Sequence, residues 1–226
     1  MRFILTDVEG TTTAISFVHD VLFPFSKERL KEYIQKHASK KEVQEALDLT
    51  KKTALEENQQ TINDDQAGDL LLKWIKEDRK HPALKSLQGE IWEEGYASGA
   101  IKGHVYSDVL PALKKWKESG LGLGVYSSGS VKAQHLIFGF STEGNLRPFF
   151  SHHFDTAVGH KREVNSYKNI IAELKIPAEE ILFLSDIKEE LDAAREAGMK
   201  TTQLVRQDDV VLGDHPRVHD FSEINL

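Results

Sequence analysis

The sequence predicts an α/β protein: a Rossmann-like parallel sheet with a helical module inserted after its first strand. Three observations carry that reading. The short apolar runs Phe3-Ile4-Leu5, Gly122-Leu123-Gly124-Val125-Tyr126 and Ile181-Leu182-Phe183-Leu184 each stop at a polar, turn-forming segment, as strands buried on both faces do. Between the later runs, apolar residues recur at helical spacing, so strand alternates with helix, the signature of a parallel sheet. From about Ser16 to Gly103 no buried strand is evident, and charged residues alternate with Leu, Ile and Trp.

Residues 2–6 read as the first strand, stopped by Asp7 and the turn-forming Gly10-Thr11-Thr12-Thr13. In the next block, Leu30 and Ile34, then Val43 and Leu47, then Leu71, Trp74 and Ile75 fall on common helix faces. Ser26, Asp64 and Asp65 are the expected helix starts, and His81-Pro82 and Gly89 punctuate the block. The expectation is four or so amphipathic helices in a small bundle. Residues 107–118 then read as a helix capped by Ser107 and ended by Gly120, and 121–126 as a strand leading to Ser127-Ser128-Gly129-Ser130. Helices over 131–138 and 166–174 precede a strand over 181–184 ending at Ser185-Asp186. A helix over 188–197, closed by Gly198, and a last strand over 201–205 follow. The first strand belongs with the later ones. The expected domains are therefore an α/β core, 1–15 and 104–226, and an inserted helical domain, 16–103.

Lys and Arg total 29 against 36 Asp and Glu, a formal charge of −7 over 226 residues. That balance argues against a general nucleic-acid binder, which needs a basic surface to displace counterions. It leaves room for a locally positive site for a small anion. No cysteine is present, which excludes disulfides and Cys-ligated metal and suits a reducing cytoplasm. The apolar run after Arg2 is far shorter than the roughly 20 residues of a membrane span and lacks the pattern of a signal peptide. The expectation is a soluble cytoplasmic chain.

Three of the expected strands end in groups with chemistry. In open parallel sheets, ligands bind outside the carboxyl ends of the strands. Asp7, Glu9 and Asp186 offer the hard oxygen ligands that suit magnesium. Ser127, Ser128 and the amides around Gly129 lead into a helix N-terminus, a ready anion site. Lys161, after Gly159-His160, can supply the cation a phosphoryl group requires. Singly, each has an ordinary reading: Asp7 a turn residue, the serines a loop with a cap, Asp186 a cap for the next helix, Lys161 a surface charge. Together and in this order they compose a phosphoryl-transfer site: carboxylate nucleophile, metal, hydroxyls and lysine. The adjacent His152 and His153, and His215 and His219 with Pro216 between them, lack a third ligand for zinc. Trp74, Trp92 and Trp116 read as buried anchors.

The run Asp7-Val8-Glu9-Gly10-Thr11 resembles Asp-x-Asp-Gly-Thr, the first motif of the haloacid-dehalogenase superfamily of aspartyl-phosphate phosphotransferases, with Glu9 where most of its phosphatases carry Asp. The departure is similar to the enolase-phosphatase branch of the superfamily. So are Tyr126-Ser127-Ser128-Gly129-Ser130, Phe138-Gly139 with Ser141-Thr142-Glu143-Gly144, Phe154-Asp155-Thr156 with Gly159-His160-Lys161, Trp92 to Gly99, and Ile101-Lys102-Gly103-His104-Val105-Tyr106. The resemblance covers nearly the whole chain and implies a HAD-like core with a helical cap. It implies Asp7 as nucleophile and Glu9 as general acid/base whose backbone carbonyl ligates one magnesium ion with Asp7 and Asp186. Ser127, Ser128 and Lys161 would bind the phosphate. The implied substrate is a phosphorylated diketone, 2,3-diketo-5-methylthiopentyl-1-phosphate, enolised and dephosphorylated by a monomer to an acireductone in methionine salvage. The alternative is a magnesium-dependent phosphatase of the same superfamily acting on another small ester. Phe17, Val18 and Phe23 follow the first motif as candidates either for the methylthio tail or for packing of the cap.

Overall fold

The structure, a computed structural model, describes residues 1–226. The chain begins with β1 (Phe3–Thr6), then a helical turn, α1 (Ile15–Phe17), and a π-helical turn at Val18–Leu22. Four helices follow: α2 (Phe23–Lys36), α3 (Lys41–Asn58), α4 (Asp64–Lys76) and α5 (Pro82–Ala97). The remainder alternates as α6 (Val109–Glu118), β2 (Gly122–Tyr126), α7 (Val131–Gly139), β3 (His152–Phe154), α8 (Val164–Leu174), β4 (Ile181–Ser185), α9 (Lys188–Glu196), β5 (Lys200–Leu204) and β6 (Arg217–Val218).

The six strands form one parallel sheet in the order β3-β2-β1-β4-β5-β6. Side chains alternate across a strand. Phe3 and Leu5 of β1 therefore join Ile181 and Phe183 of β4 on one face, packed with Tyr167 and Ile170 of α8 and Leu191 and Ala194 of α9. Phe3 lies across β2, where a Cβ at Gly122 or Gly124 would come within 2.4 or 2.8 Å of its ring. The order reverses on either side of β1, so β1 and β4 flank the switch point at which such sheets bind ligands.

The chain divides into two compact units, Met1–Ile15 with Lys102–Leu226, and Ser16–Ile101. The second has its own core: Leu30 and Ile34 of α2, Val43 and Leu47 of α3, Leu71 and Trp74 of α4, and Leu84 and Leu87 of α5, with Phe23 packed against it. Phe17 is buried and Val18 half-buried. Lys102 and Gly103 fall in the first unit, where Gly103 exchanges backbone hydrogen bonds with Phe140 and Thr142.

The structure departs from several local expectations. Ser26 lies inside α2 and donates to the Phe23 carbonyl rather than starting the helix. Asp64 and Asp65 occupy the first turn of α4, whose start is a capping box made by Asn63 and Gln66. Asp108, not Ser107, is the residue before α6. Ile187, not Asp186, stands at the start of α9, which removes the capping explanation for Asp186. The strand over 201–205 is β5 and is not the last, since β6 pairs beside it. β3 and β6, three and two residues long, are too short for an alternation to register.

Candidate active site

β1 is buried throughout, and its last hydrogen bond passes from the Asp7 N–H to the Leu184 carbonyl of β4. Asp7 therefore leaves the sheet at the switch point, and it is only 2% exposed. The chain then turns on itself, with the N–H groups of Thr11, Thr12 and Thr13 donating to the Val8 carbonyl and that of Gly10 to Thr13. The turn requires φ +76° at Gly10, a left-handed conformation that favours glycine. A Cβ there would also lie 2.3 Å from Asp186 Oδ2, so the bare backbone lets the Asp186 carboxylate close onto this loop.

Lys161 meets Asp7. Its Nζ donates to Asp7 Oδ1 at 2.5 Å and to Glu190 Oε2 at 2.7 Å, and it is 4% exposed. Three hydroxyls hold the loop that presents it. Tyr126 donates to the Gly159 carbonyl (2.9 Å), Ser166 to that of His160 (2.7 Å) and Tyr167 to that of Lys161 (2.7 Å). Gly159 adopts φ +139°, and a Cβ there would come within 2.2 Å of Ser166 Oγ. On the β2 side, Ser127 Oγ donates to Glu9 Oε2 (3.0 Å) and accepts the Gly129 N–H (2.9 Å). Ser128 follows, half-buried, and Ser130 caps α7 through the Ala133 N–H.

The structure thus brings Asp7 to Lys161, Glu9 to Ser127, and Asp186 to the loop that carries Asp7 and Glu9. Sequence reasoning missed Glu190 and Ser185. Ser185 Oγ donates to Glu190 Oε2 at 3.0 Å, stands 3.5 Å from Asp7 Oδ2 and accepts the Ile187 N–H. Glu190 shares the buried face of α9 with Leu191 and Ala194. A carboxylate on an apolar helical stripe is the signal that could have found it.

Burial is the largest influence on the Asp7 carboxyl and pushes its pKa up. The Lys161 ammonium opposes that, while the Glu190, Glu9 and Asp186 carboxylates add to it. Burial depresses the Lys161 ammonium, but Asp7 and Glu190 outweigh it and keep Lys161 protonated. Burial pushes Asp186 up to about 6. The site is short of positive charge.

Nowhere do three or more His, Cys, Asp or Glu side chains gather as a metal cage. Magnesium does not need one: it keeps several waters and takes one or two carboxylates. Asp7 and Asp186 supply two, and Glu9 lies two residues beyond Asp7 on the loop onto which Asp186 closes. Asp186 Oδ1 is buried with no hydrogen-bond partner, an orphaned acceptor that a cation would satisfy. These residues fit the ion. A cavity of about 360 Å³, walled by Gly10, Asp186, Ile187, Arg162 and Lys188 among others, opens on the same side.

The family model for haloacid dehalogenase-like hydrolases matches residues 1–198. The chain is 54% identical over 230 residues to Enolase-phosphatase E1 of Marinobacter nauticus, covering 100% of this chain and 97% of that protein. It is 49% identical to Enolase-phosphatase E1 of Pseudomonas aeruginosa, covering 99% and 98%. The crystal structure of the UTR4 protein of Saccharomyces cerevisiae superposes with a TM-score of 0.81 at 33% identity, covering 98% of this chain and 99% of that one.

Proposed function

The chain belongs to the haloacid dehalogenase-like hydrolases and has the enolase-phosphatase function, and we propose that Asp7 is its nucleophile toward a small phosphorylated diketone. The observation that carries this reading is the buried contact between Asp7 and Lys161, because an attacking carboxylate and a phosphate dianion repel each other unless a cation stands beside them. Asp7 attacks phosphorus, and the bond from phosphorus to the oxygen on carbon 1 breaks. Glu9, its carboxyl oriented by the Ser127 hydroxyl, gives the leaving oxygen a proton. It then takes one from the water that cleaves the aspartyl phosphate, releasing phosphate and restoring Asp7. Ser128 and Lys161 hold the phosphoryl oxygens, and the Ser127 hydroxyl joins them by turning from Glu9 to the phosphate. In the enolisation, a proton leaves carbon 1, the double bond forms between carbons 1 and 2, and the oxygen on carbon 2 gains a proton. Glu9, one methylene longer than Asp, has the reach to serve that step too. Asp7, Asp186 and the Glu9 carbonyl would hold magnesium, which would offset the phosphate charge and polarise the diketone. The unit Ser16–Ile101 acts as the cap that selects the substrate.

The proposed substrate is 2,3-diketo-5-methylthiopentyl-1-phosphate, with the acireductone as product. The test incubates the protein with it in magnesium and in EDTA, following enol absorbance and free phosphate together. Both signals should appear with magnesium and disappear with EDTA, and phosphate release should be lost in Asp7→Asn. Phosphate released from other esters but not from this one would refute the substrate while leaving Asp7 as nucleophile.

A further inference from the structure

The end of β5 reaches both acidic loops, through two side chains that the proposed chemistry does not use. Gln203 is fully buried and both N–H donors of its amide are used. Nε2 donates to the carbonyls of Asp186 and Val211, each at 2.9 Å, and Oε1 accepts the Gly213 N–H at 2.9 Å. Two carbonyls facing one end of the amide and an N–H facing the other leave a single orientation for it. Three residues on, Arg206 grips both carboxylate oxygens of Asp108 at 2.8 Å and donates Nε–H to the Thr11 carbonyl at 3.1 Å. Asp108 is itself tied to the Phe221 N–H, and the guanidinium lies 4.3 Å from the centre of the Tyr106 ring. Its side chain is 6% exposed, so the fork has nowhere else to go.

Each arm fixes a peptide beside a candidate metal ligand. Because Asp186 Oδ1 has no hydrogen-bond partner, the place of that carboxylate depends heavily on its backbone, and Gln203 is the side chain that holds its carbonyl. Thr11 lies two residues beyond Glu9, and Arg206 holds its carbonyl. We propose that Gln203 and Arg206 are positioning residues that together set the separation between the Asp7–Glu9 loop and Asp186, and thereby the affinity of that set for a divalent cation. This rests on the magnesium reading above. Groups that orient ligands without touching the metal change its affinity by about 10–100-fold when removed, and the buried, hydrogen-bonded geometry here is of that kind.

The experiment uses the full chain and manganese as the probe, with free ion counted by electron paramagnetic resonance. Gln203→Met keeps the volume and removes both donors; Gln203→Glu keeps the shape and turns a donor into an acceptor; Arg206→Lys keeps the charge and loses the fork. Melting temperature without cation, and kcat and KM at saturating magnesium, are measured on the same proteins. The wild type should bind manganese, and the variants should bind it about tenfold or more weakly. Their KM for the phosphate ester should stay nearly unchanged, with activity restored by added magnesium. A lowered melting temperature with unchanged manganese affinity would make both residues merely structural and overturn the inference. If Gln203→Met does not fold, Arg206→Lys and Gln203→Glu decide it by the same measurement. Failure of the wild type to bind manganese would overturn the magnesium reading and this inference with it, so the two failures show up in different proteins.

Discussion

Lys161 holds two carboxylates at once, Asp7 and Glu190, in a place that water barely reaches. Removing one member of a buried ionic set leaves uncompensated charge, at about 3–5 kcal/mol. Lys161→Met should lose about that much unfolding free energy and all phosphate release. Adding Glu190→Gln removes one of the stranded charges and leaves the Ser185 hydroxyl a partner. The double variant should therefore regain part of the stability and none of the activity. Denaturant titration and a phosphate assay on the two proteins check this; activity that returned with stability would make Lys161 structural only. His153 offers a test away from the chemistry. Gln134 Nε2 donates to the carbonyls of Phe154 and Gly129, leaving its Oε1 to accept from His153 Nδ1. Burial, then His135, Arg147 and His152, pushes the His153 pKa down to about 4. The unfolded chain thus binds the proton more readily than the native one between about pH 6.5 and 4, and stability falls as pH drops through that window. One proton is worth at most about 1.4 kcal/mol per pH unit, less here because the ring is partly exposed. Between pH 7 and 5, the wild type should lose more melting temperature than His153→Asn. An equal loss would show that His153 is not the titrating group.

At the scale of elements, the site is built as much by what holds the loops as by the groups they carry. Tyr126 on β2 and Ser166 and Tyr167 on α8 pin three consecutive carbonyls, 159 to 161. Tyr167→Phe strands the Lys161 carbonyl without its donor, which costs about 1–3 kcal/mol, and frees the ammonium to drift from Asp7. A displacement of about 1 Å in a reacting group can cost about 100-fold, so kcat should fall between about 10- and 100-fold while KM changes little. A rise in KM alone would place Tyr167 in binding instead. The strand ends carrying Asp7, Ser127 and Asp186 were legible in the sequence, because buried apolar runs stop abruptly at polar residues. Lys161 was legible as a loop cation. Its three hydroxyl anchors were not, because their partners are backbone carbonyls brought near only by the fold. Glu190 was hidden among the charges of residues 188–190, since only the helical phase of α9 turns it inward. β3 and β6 pair through the register of longer neighbours rather than through any pattern of their own.

Over the whole molecule, the two units have separate apolar cores, one around Phe3, Phe183 and Tyr167 and the other around Leu30, Leu47 and Leu71. A separate core is what allows a unit to fold without its neighbour. The two stretches where the chain leaves and re-enters the first unit are bonded side by side: Tyr106 N–H to the Thr12 carbonyl (3.0 Å), Thr13 Oγ1 to the His104 carbonyl (2.8 Å), and Ala14 N–H to His104 Nδ1 (3.0 Å). A linker of a few residues can therefore replace Ser16–Ile101 without stretching the sheet, since each added residue spans up to about 3.5 Å. Every group of the proposed chemistry lies in the unit that remains. The excised protein should keep its cooperative melting and hydrolyse a small activated ester such as p-nitrophenyl phosphate with magnesium. It should lose its preference for the phosphorylated diketone, because the proposed selecting unit is gone. Steady-state kinetics on both esters, beside circular dichroism, measure this directly. A folded core that still preferred the diketone would move substrate choice from the inserted unit to the core. A folded core inactive on both would mean that the insertion supplies part of the chemistry itself, and the assignment of catalysis to Asp7, Glu9 and Lys161 alone would be incomplete.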